Sequence, residues 1–397
     1  MNNTSVKKTK EPLFHIVKNS SLPSWAAWCI RLGAIVLSLA VASIICAIFG
    51  ETSPFSVIGS LFGGAFGTTR RIWILIQDTC LLLMVALALL PAFRMKFWNL
   101  GGNGQILVAC IVCCACMKFL PAAGVAEWLT VLIMIPLSIL AGIVWAVVPA
   151  IFKAFFNTNE SLFTLMLNYV AEGLVLFFVN SWVKDGSAVL VPIETANLPE
   201  LGNRYVLVIL MAVIILAFMF VYFRYSKHGY EISVVGESEN TAKYIGINVK
   251  KVVIRTLILS GAVCGIVGLL LAGGINHTMT EASHSNMGFT AIMAAWIGQF
   301  NPIFVLATSF FITFVNKGMG QVREDCHFDN SAISDIVIGI VFFFVIACEF
   351  FINYKIVFKK KVKDSVSEEE VKENIVEETP SVESEEVTPV VIEEVEE

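Results

Sequence analysis

The run IRLGAIVLSLAVASIICAIFG, Ile30 to Gly50, carries a single charge, Arg31, in 21 residues. At ~1.5 Å per helical residue, that length crosses the ~30 Å hydrocarbon core of a bilayer. It is longer than the apolar region of a secretory leader and lacks a small-x-small exit, so it reads as a helix that stays in the membrane. Runs of the same kind recur near 73–92, 128–149, 162–182, 205–223, 257–274 and 333–352, with shorter ones near 105–120, 287–300 and 303–316. The expected fold is all-α: a polytopic transmembrane helical bundle of about ten spans, some of them broken.

Composition agrees. The chain is 57% hydrophobic and 15% charged, against about 45–50% and about 25% in soluble domains, and its mean hydropathy is +0.78. A soluble enzyme is excluded. The net charge of -5 hides an asymmetry, because residues 364–397 contribute -13 and leave +8 on the rest. That acidic segment contains no aromatic residue and too little apolar surface to offset ordering entropy, so it reads as a disordered tail.

Orientation follows the positive residues. Lys7, Lys8, Lys10 and Lys18 precede the first span, six Lys and Arg residues populate the loop 224–255, and five Lys follow the last span. All three regions, and so both termini, are expected on the cytoplasmic side. This gives a cytoplasmic segment 1–24, a membrane domain 25–355 and the tail 364–397. Two breaks interrupt the apolar pattern, one at Trp98 to Gln105 with three glycines and three amides, the other at Phe300-Asn301-Pro302. Their positions in opposite halves suggest a pseudo-repeat, and interrupted helices are where membrane proteins place solute paths. Residues 53–67 are too short to span and read as a re-entrant or interfacial element. Gly261-x3-Gly265 and Gly59-x3-Gly63-x3-Gly67 are candidate sites of close helix packing.

The ten cysteines include Cys110, Cys113, Cys114 and Cys116, but the cluster lies in an apolar run without His or carboxylate neighbours, which favours packing over metal binding. His277, Glu281 and His284 have ligand-like spacing in a Thr- and Ser-rich stretch that reads as a loop. No metal or other cofactor is expected. Glu160 suits a helix start, and Glu172, near mid-span, is an intramembrane carboxylate and so a functional candidate. Asp78 and Glu349 lie nearer segment ends.

The loop 224–255 holds the polar stretch VGESENTAKYIGI, Val235 to Ile247. Ser238 can cap a short helix, Glu239 suits its positive end, Lys243 its negative end, and Gly246 a left-handed stop. This stretch resembles the V-G-E-N-P-x-A-A-x-Y-x-G-I pattern of the permease subunits of ATP-binding-cassette importers for branched-chain amino acids, ribose and nucleosides. Glu239 stands where the pattern commonly has Pro, and Thr241 where it has Ala. Phe97 to Gln105 resembles F-N-I-G-x-E-G-Q, with Trp98 added and Asn103 in place of Glu. Asn159 to Tyr169 resembles N-E-V-I-x-T-L-M-L-N-Y, a nucleoside-type signature. Gly288 to Pro302 resembles G-F-T-A-I-A-V-A-L-L-G-x-x-N-P.

The resemblance covers about residues 25–355 and implies a permease subunit of the nucleoside or simple-sugar branch, in a cytoplasmic membrane. It implies a cytoplasmic ATP-binding-cassette ATPase as partner, docked through a coupling helix with Gly236, Glu237, Ala242, Tyr244 and Gly246. It also implies a second permease subunit, identical or homologous, and an extracellular substrate-binding protein; no nucleic acid is involved. The amides Asn99, Gln105, Asn168, Gln299 and Asn301, together with Glu172, are the expected solute-path residues, because unpaired amides are costly in lipid and must face the interior. Amides also offer the donors and acceptors that a neutral nucleoside needs. Interhelical hydrogen bonding is the competing reading for each. A simple-sugar permease and an ATP-independent carrier are the alternatives. No metalloprotease or nucleophile-elbow motif supports an intramembrane enzyme, and without a P-loop any ATP hydrolysis must occur on another chain.

Overall fold

The computed structural model describes residues 14–18, 23–183, 189–327 and 332–358. The chain divides into a body, residues 23–350, and a unit of the two chain ends, residues 1–22 with 351–397. In the latter, β1 (Phe14–Lys18) pairs antiparallel with β2 (Tyr354–Phe358), Ile16 opposite Ile356. This ribbon is a small addition to an otherwise helical chain. The acidic segment 364–397 and most of 1–24 lie outside the described residues.

The body begins with α1 (Ser24–Phe49), α2 (Pro54–Phe66), α3 (Thr69–Arg94), α4 (Gly102–Ala122), α5 (Glu127–Phe156), α6 (Glu160–Trp182) and α7 (Val206–Tyr225). It continues with α8 (Lys227–Glu237), α9 (Glu239–Tyr244), α10 (Val249–Leu270), α11 (Met287–Ile297), α12 (Pro302–Asp325) and α13 (Ala332–Asn353). Eight of the described helices are long and apolar enough to cross a membrane. Every span expected from the sequence is a helix, but several limits move. The glycines at 102 and 104 are inside α4, so the segment expected as short, 105–120, is a full 21 residues. Conversely α11 has 11 residues, ~16 Å of rise, about half the hydrocarbon thickness. The stretch 53–67 contains the 13-residue α2, also too short to cross.

The axis of the body is α3. From Leu81 to Leu90 every side chain is 4% exposed or less, the signature of a helix apolar on all faces and wrapped on all faces. In lipid no hydrophobic gradient drives such wrapping, so close van der Waals fit must supply the stability. The tightest fit joins α5 and α10, where a Cβ on Gly142 would stand 2.4 Å from the Gly261 carbonyl, and one on Gly265 would stand 2.8 Å from Ile139 Cα. The expected contact at Gly261-x3-Gly265 is therefore present. The one expected at Gly59-x3-Gly63 is not: both open onto free space, and their neighbour Gly64 is pressed against α12 at Gln321 and Lys317. The contact lies on the next face of the same helix.

Candidate functional site

The segment between α3 and α4 is built by amides. Asn99 donates through Nδ2 to Ser260 Oγ at 3.0 Å, and its Oδ1 accepts from the Gly101 amide and Gln105 Nε2. Ser260 Oγ donates in turn to Gln105 Oε1 at 3.4 Å, closing a ring that ties the segment to α10. Asn168 of α6 accepts from the Gly104 amide and donates to the Leu100 carbonyl, both at 2.9 Å. Thr164 accepts from the Leu100 amide at 3.1 Å. Asn99, Gln105 and Asn168 are all buried, each with both ends of its amide engaged.

Asn103, whose role the sequence did not reveal, accepts through Oδ1 from the Gly288 amide at 2.7 Å. The first turns of α4 and α11 thus meet, each presenting unsatisfied backbone donors at its start. This bond joins the two halves of the chain, beside those that Ser260 makes with Asn99 and Gln105. Beyond it, α11 ends in a turn where Gln299 (φ 51°) and Phe300 (φ 54°) are both left-handed, a conformation costing side-chain-bearing residues about 1–3 kcal/mol each. Asn301 caps α12 by accepting from the Ile303 amide at 3.1 Å. Glu172 faces buried His284, 3.5 Å from its Nε2, while His284 Nδ1 accepts from the Asn286 amide at 2.8 Å. Burial pulls the His284 imidazole below its usual range, against the pull of Glu172. Residues 277–286 form a loop with one short 3-10 turn at Glu281–His284.

A polar cavity of about 480 Å3 opens between α3, the end of α10, the following loop, α11 and α12. Gln77, Asp78, Asn276, Thr290, Thr313 and Asn316 contribute its polar wall, and Lys317 pairs with Asp78 across it. None of the amides of Gln77, Asn276 and Asn316 makes a hydrogen bond among the described residues. Of the solute-path residues expected from the sequence, none lines this cavity. The signal that could have found it was present: two opposite charges, Asp78 inside one apolar run and Lys317 at the end of another.

The stretch expected to couple consists of two helices rather than one. Ser226 caps α8 and Ser238 caps α9, accepting from the Gly229 and Thr241 amides at 2.9 and 3.3 Å. Gly236 lies so near the end of α3 that a Cβ there would stand 2.0 Å from the Arg94 carbonyl. Any larger residue must push α8 away from the axis helix. Ala242 is fully buried in a cluster with Ala92, Ala146 and Leu257, so α9 is anchored to α3, α5 and α10. Glu237 is exposed, Tyr244 stands 96% exposed, and Gly246 ends α9 at φ +83°. A large aromatic presented on an anchored helix is the form of a docking knob.

A wrapped axis helix, a polar cavity inside an apolar bundle and an anchored helix pair outside it define a polytopic membrane permease. Residues 71–346 match the branched-chain amino acid transport system permease component, and the chain belongs to that family. Among its relatives, the nucleoside ABC transporter permease protein NupB of Lactococcus lactis is 26% identical over 355 residues, 85% of this chain and 95% of the relative. The guanosine ABC transporter permease protein NupP of Bacillus subtilis is 26% identical over 80% of this chain and 92% of its own length. The glucose ABC transporter permease protein TsgB13 of Haloferax volcanii is 24% identical, covering 85% and 91%. No solved structure matches.

Proposed function

We propose that this chain is the membrane-spanning subunit of an ATP-driven importer that carries nucleosides. The observation that carries the reading is the cavity of Gln77, Asn276 and Asn316, whose amides are free for a ligand. Its volume falls in the roughly 300–1,000 Å3 range of small-molecule sites. Donors and acceptors beside Leu81, Leu82 and Leu271 in one lining suit a solute with both hydroxyls and a flat apolar surface. NupB and NupP, by their names, support nucleosides; TsgB13 supports the sugar alternative.

In this reading α8 and α9 face the cytoplasm with both chain termini, and a separate ATPase docks on them around Tyr244, with Glu237 at the edge of that surface. Nucleotide-driven movement of the ATPase shifts α9, and through Ala242 and Gly236 it shifts α3, which lines the cavity. A second permease subunit completes the path, and an external binding protein delivers solute to the cavity mouth. Asn99, Gln105 and Asn168 act on the path by holding its inner wall, Glu172 through the loop at His284, and Gln299 and Asn301 at the turn beyond α11.

The test is uptake of labelled guanosine and uridine in cells with and without this chain, with unlabelled ribose and glucose as competitors. Chain-dependent uptake that sugars leave untouched is expected. Strong sugar competition without nucleoside uptake assigns the sugar branch, and uptake surviving ATP depletion overturns the ATP-driven reading. Tyr244→Ala, on a fully exposed side chain, is expected to stop uptake with the protein still folded and inserted; normal uptake would remove the docking assignment.

A further inference from the structure

At the other ends of α3 and α11 from the polar cavity lies a second cavity of about 470 Å3. Trp98 and Trp296 stack on its wall, ring centroids 5.6 Å apart at 28°. Phe93 meets Trp98 edge-on at 5.7 Å, and Phe300 meets Trp296 at 5.6 Å. Arg94, Lys96 and Gln299, the last an expected solute-path residue, complete the lining. Both tryptophans are about half exposed, so flat aromatic surface is on offer beside two cations.

An aromatic belt at a bilayer surface also gathers Trp, Lys and Arg. Two observations favour a solute site instead. The helices that line this cavity are those that line the polar one: α3 gives Gln77 and Asp78 to one and Phe93 and Arg94 to the other, while α11 gives Thr290 to one and Trp296 to the other. The two cavities therefore lie at opposite ends of the same two helices. In addition, Trp98 is the residue added to the F-N-I-G-x-E-G-Q pattern, placed where it roofs this cavity.

A neutral nucleoside would use the aromatic wall and leave the cations idle, whereas a phosphorylated one uses both, stacking its base and placing its phosphate at Arg94 and Lys96. We propose that this cytoplasmic mouth binds a nucleoside monophosphate, its base against Trp98 and Trp296, so that the nucleotide pool inside the cell slows further import. The proposal rests on the nucleoside reading above.

The assembled importer, permease pair with ATPase, is placed in discs of zwitterionic lipid and titrated with labelled GMP and labelled guanosine, and its uptake of guanosine is followed in proteoliposomes loaded with GMP or empty. Expected are GMP binding at least tenfold tighter than that of guanosine at this mouth, a drop of about tenfold in GMP affinity in Lys96→Gln, and loss of this binding in Trp98→Leu. Internal GMP slows wild-type uptake and leaves the Trp98→Leu rate equal to that of its own empty vesicles. GMP binding unchanged in both variants, or no GMP binding while guanosine uptake proceeds, overturns the proposal and leaves the importer reading standing. Displacement of GMP by anionic lipid at equal occupancy, with no effect of internal GMP on uptake, makes the site a headgroup site and also overturns it. Absence of guanosine uptake into empty vesicles fails the nucleoside reading itself, whatever the GMP titration gives.

Discussion

Two sets of amides stand in this bundle, in similar apolar sequence and with opposite fates. Asn99, Gln105 and Asn168 have both ends of each side chain bonded inside the protein. Gln77, Asn276 and Asn316 line a cavity with no hydrogen bond among the described residues. Both sets avoid lipid, as any amide must, but only the second keeps its donors and acceptors for something else. Burial of a polar side chain in a membrane protein therefore does not by itself point to a solute; unspent hydrogen-bonding capacity does.

The contrast is easiest to break at Asn168. Asn168→Ala leaves the Gly104 amide and Leu100 carbonyl without partners, a cost of roughly 2–6 kcal/mol at ~1–3 kcal/mol per buried group. Thermal unfolding in detergent should show a large loss of folded protein, with solute affinity of the remainder unchanged; a stable variant with weakened affinity would move Asn168 into the solute path. At the cavity, Asp78→Asn leaves the Lys317 charge unpaired, and uptake per folded transporter should fall about tenfold, equivalent to ~1.4 kcal/mol. The double variant with Lys317→Gln should recover part of that loss, and full activity of the single variant would show the pair to be a surface ornament. Both charges are partly exposed, so little change in stability accompanies either substitution.

Gln77→Leu sharpens the comparison, since it removes a free amide. The apparent KM should rise about three- to tenfold, the worth of one hydrogen bond of ~0.5–1.5 kcal/mol, with thermal stability equal or higher. A loss of stability would mean that Gln77 is spent like Asn168. The smallest effect on KM, none, is expected for Ser260→Ala, which breaks two of the ring's three bonds and should cost roughly 2–6 kcal/mol in unfolding at ~1–3 kcal/mol per buried group left unpartnered.

How much of this was legible in the sequence depends on what each region is made of. The spans were, because a bilayer imposes a length on apolar runs, and the contact at Gly261 and Gly265 was, because small residues four apart share a face. The limits of α4, α10 and α12 were not. Gly101 to Gly104 reads as a break, yet the side chains of Asn99, Thr164 and Asn168 capture the backbone groups a break would free. Val249 to Arg255 and Asn316 to Asp325 are helical but polar, and an apolar count stops before them. That is why the cavity escaped notice: Asp78 lies near the end of the expected span 73–92 but nine residues inside α3, and Lys317 lies one residue beyond the expected 303–316. The coupling stretch was legible in its cap and its stop, while α8 and the approach of Gly236 to Arg94 needed three dimensions.

The cancellation of Asp78 by Lys317, together with a neutral amide at Asn103 where the pattern has Glu, has an electrical consequence. Moving one uncompensated charge through a membrane potential costs or releases ~2.3 kcal/mol per 100 mV, so a wall carrying net charge would feel the field each time it moved. With its charges paired and its central junction neutral, the middle of this path can rearrange around an uncharged solute without electrical work. Import at fixed ATP should then run at the same rate in polarised and depolarised vesicles, which frees the transporter from the ion gradients that other carriers must draw upon.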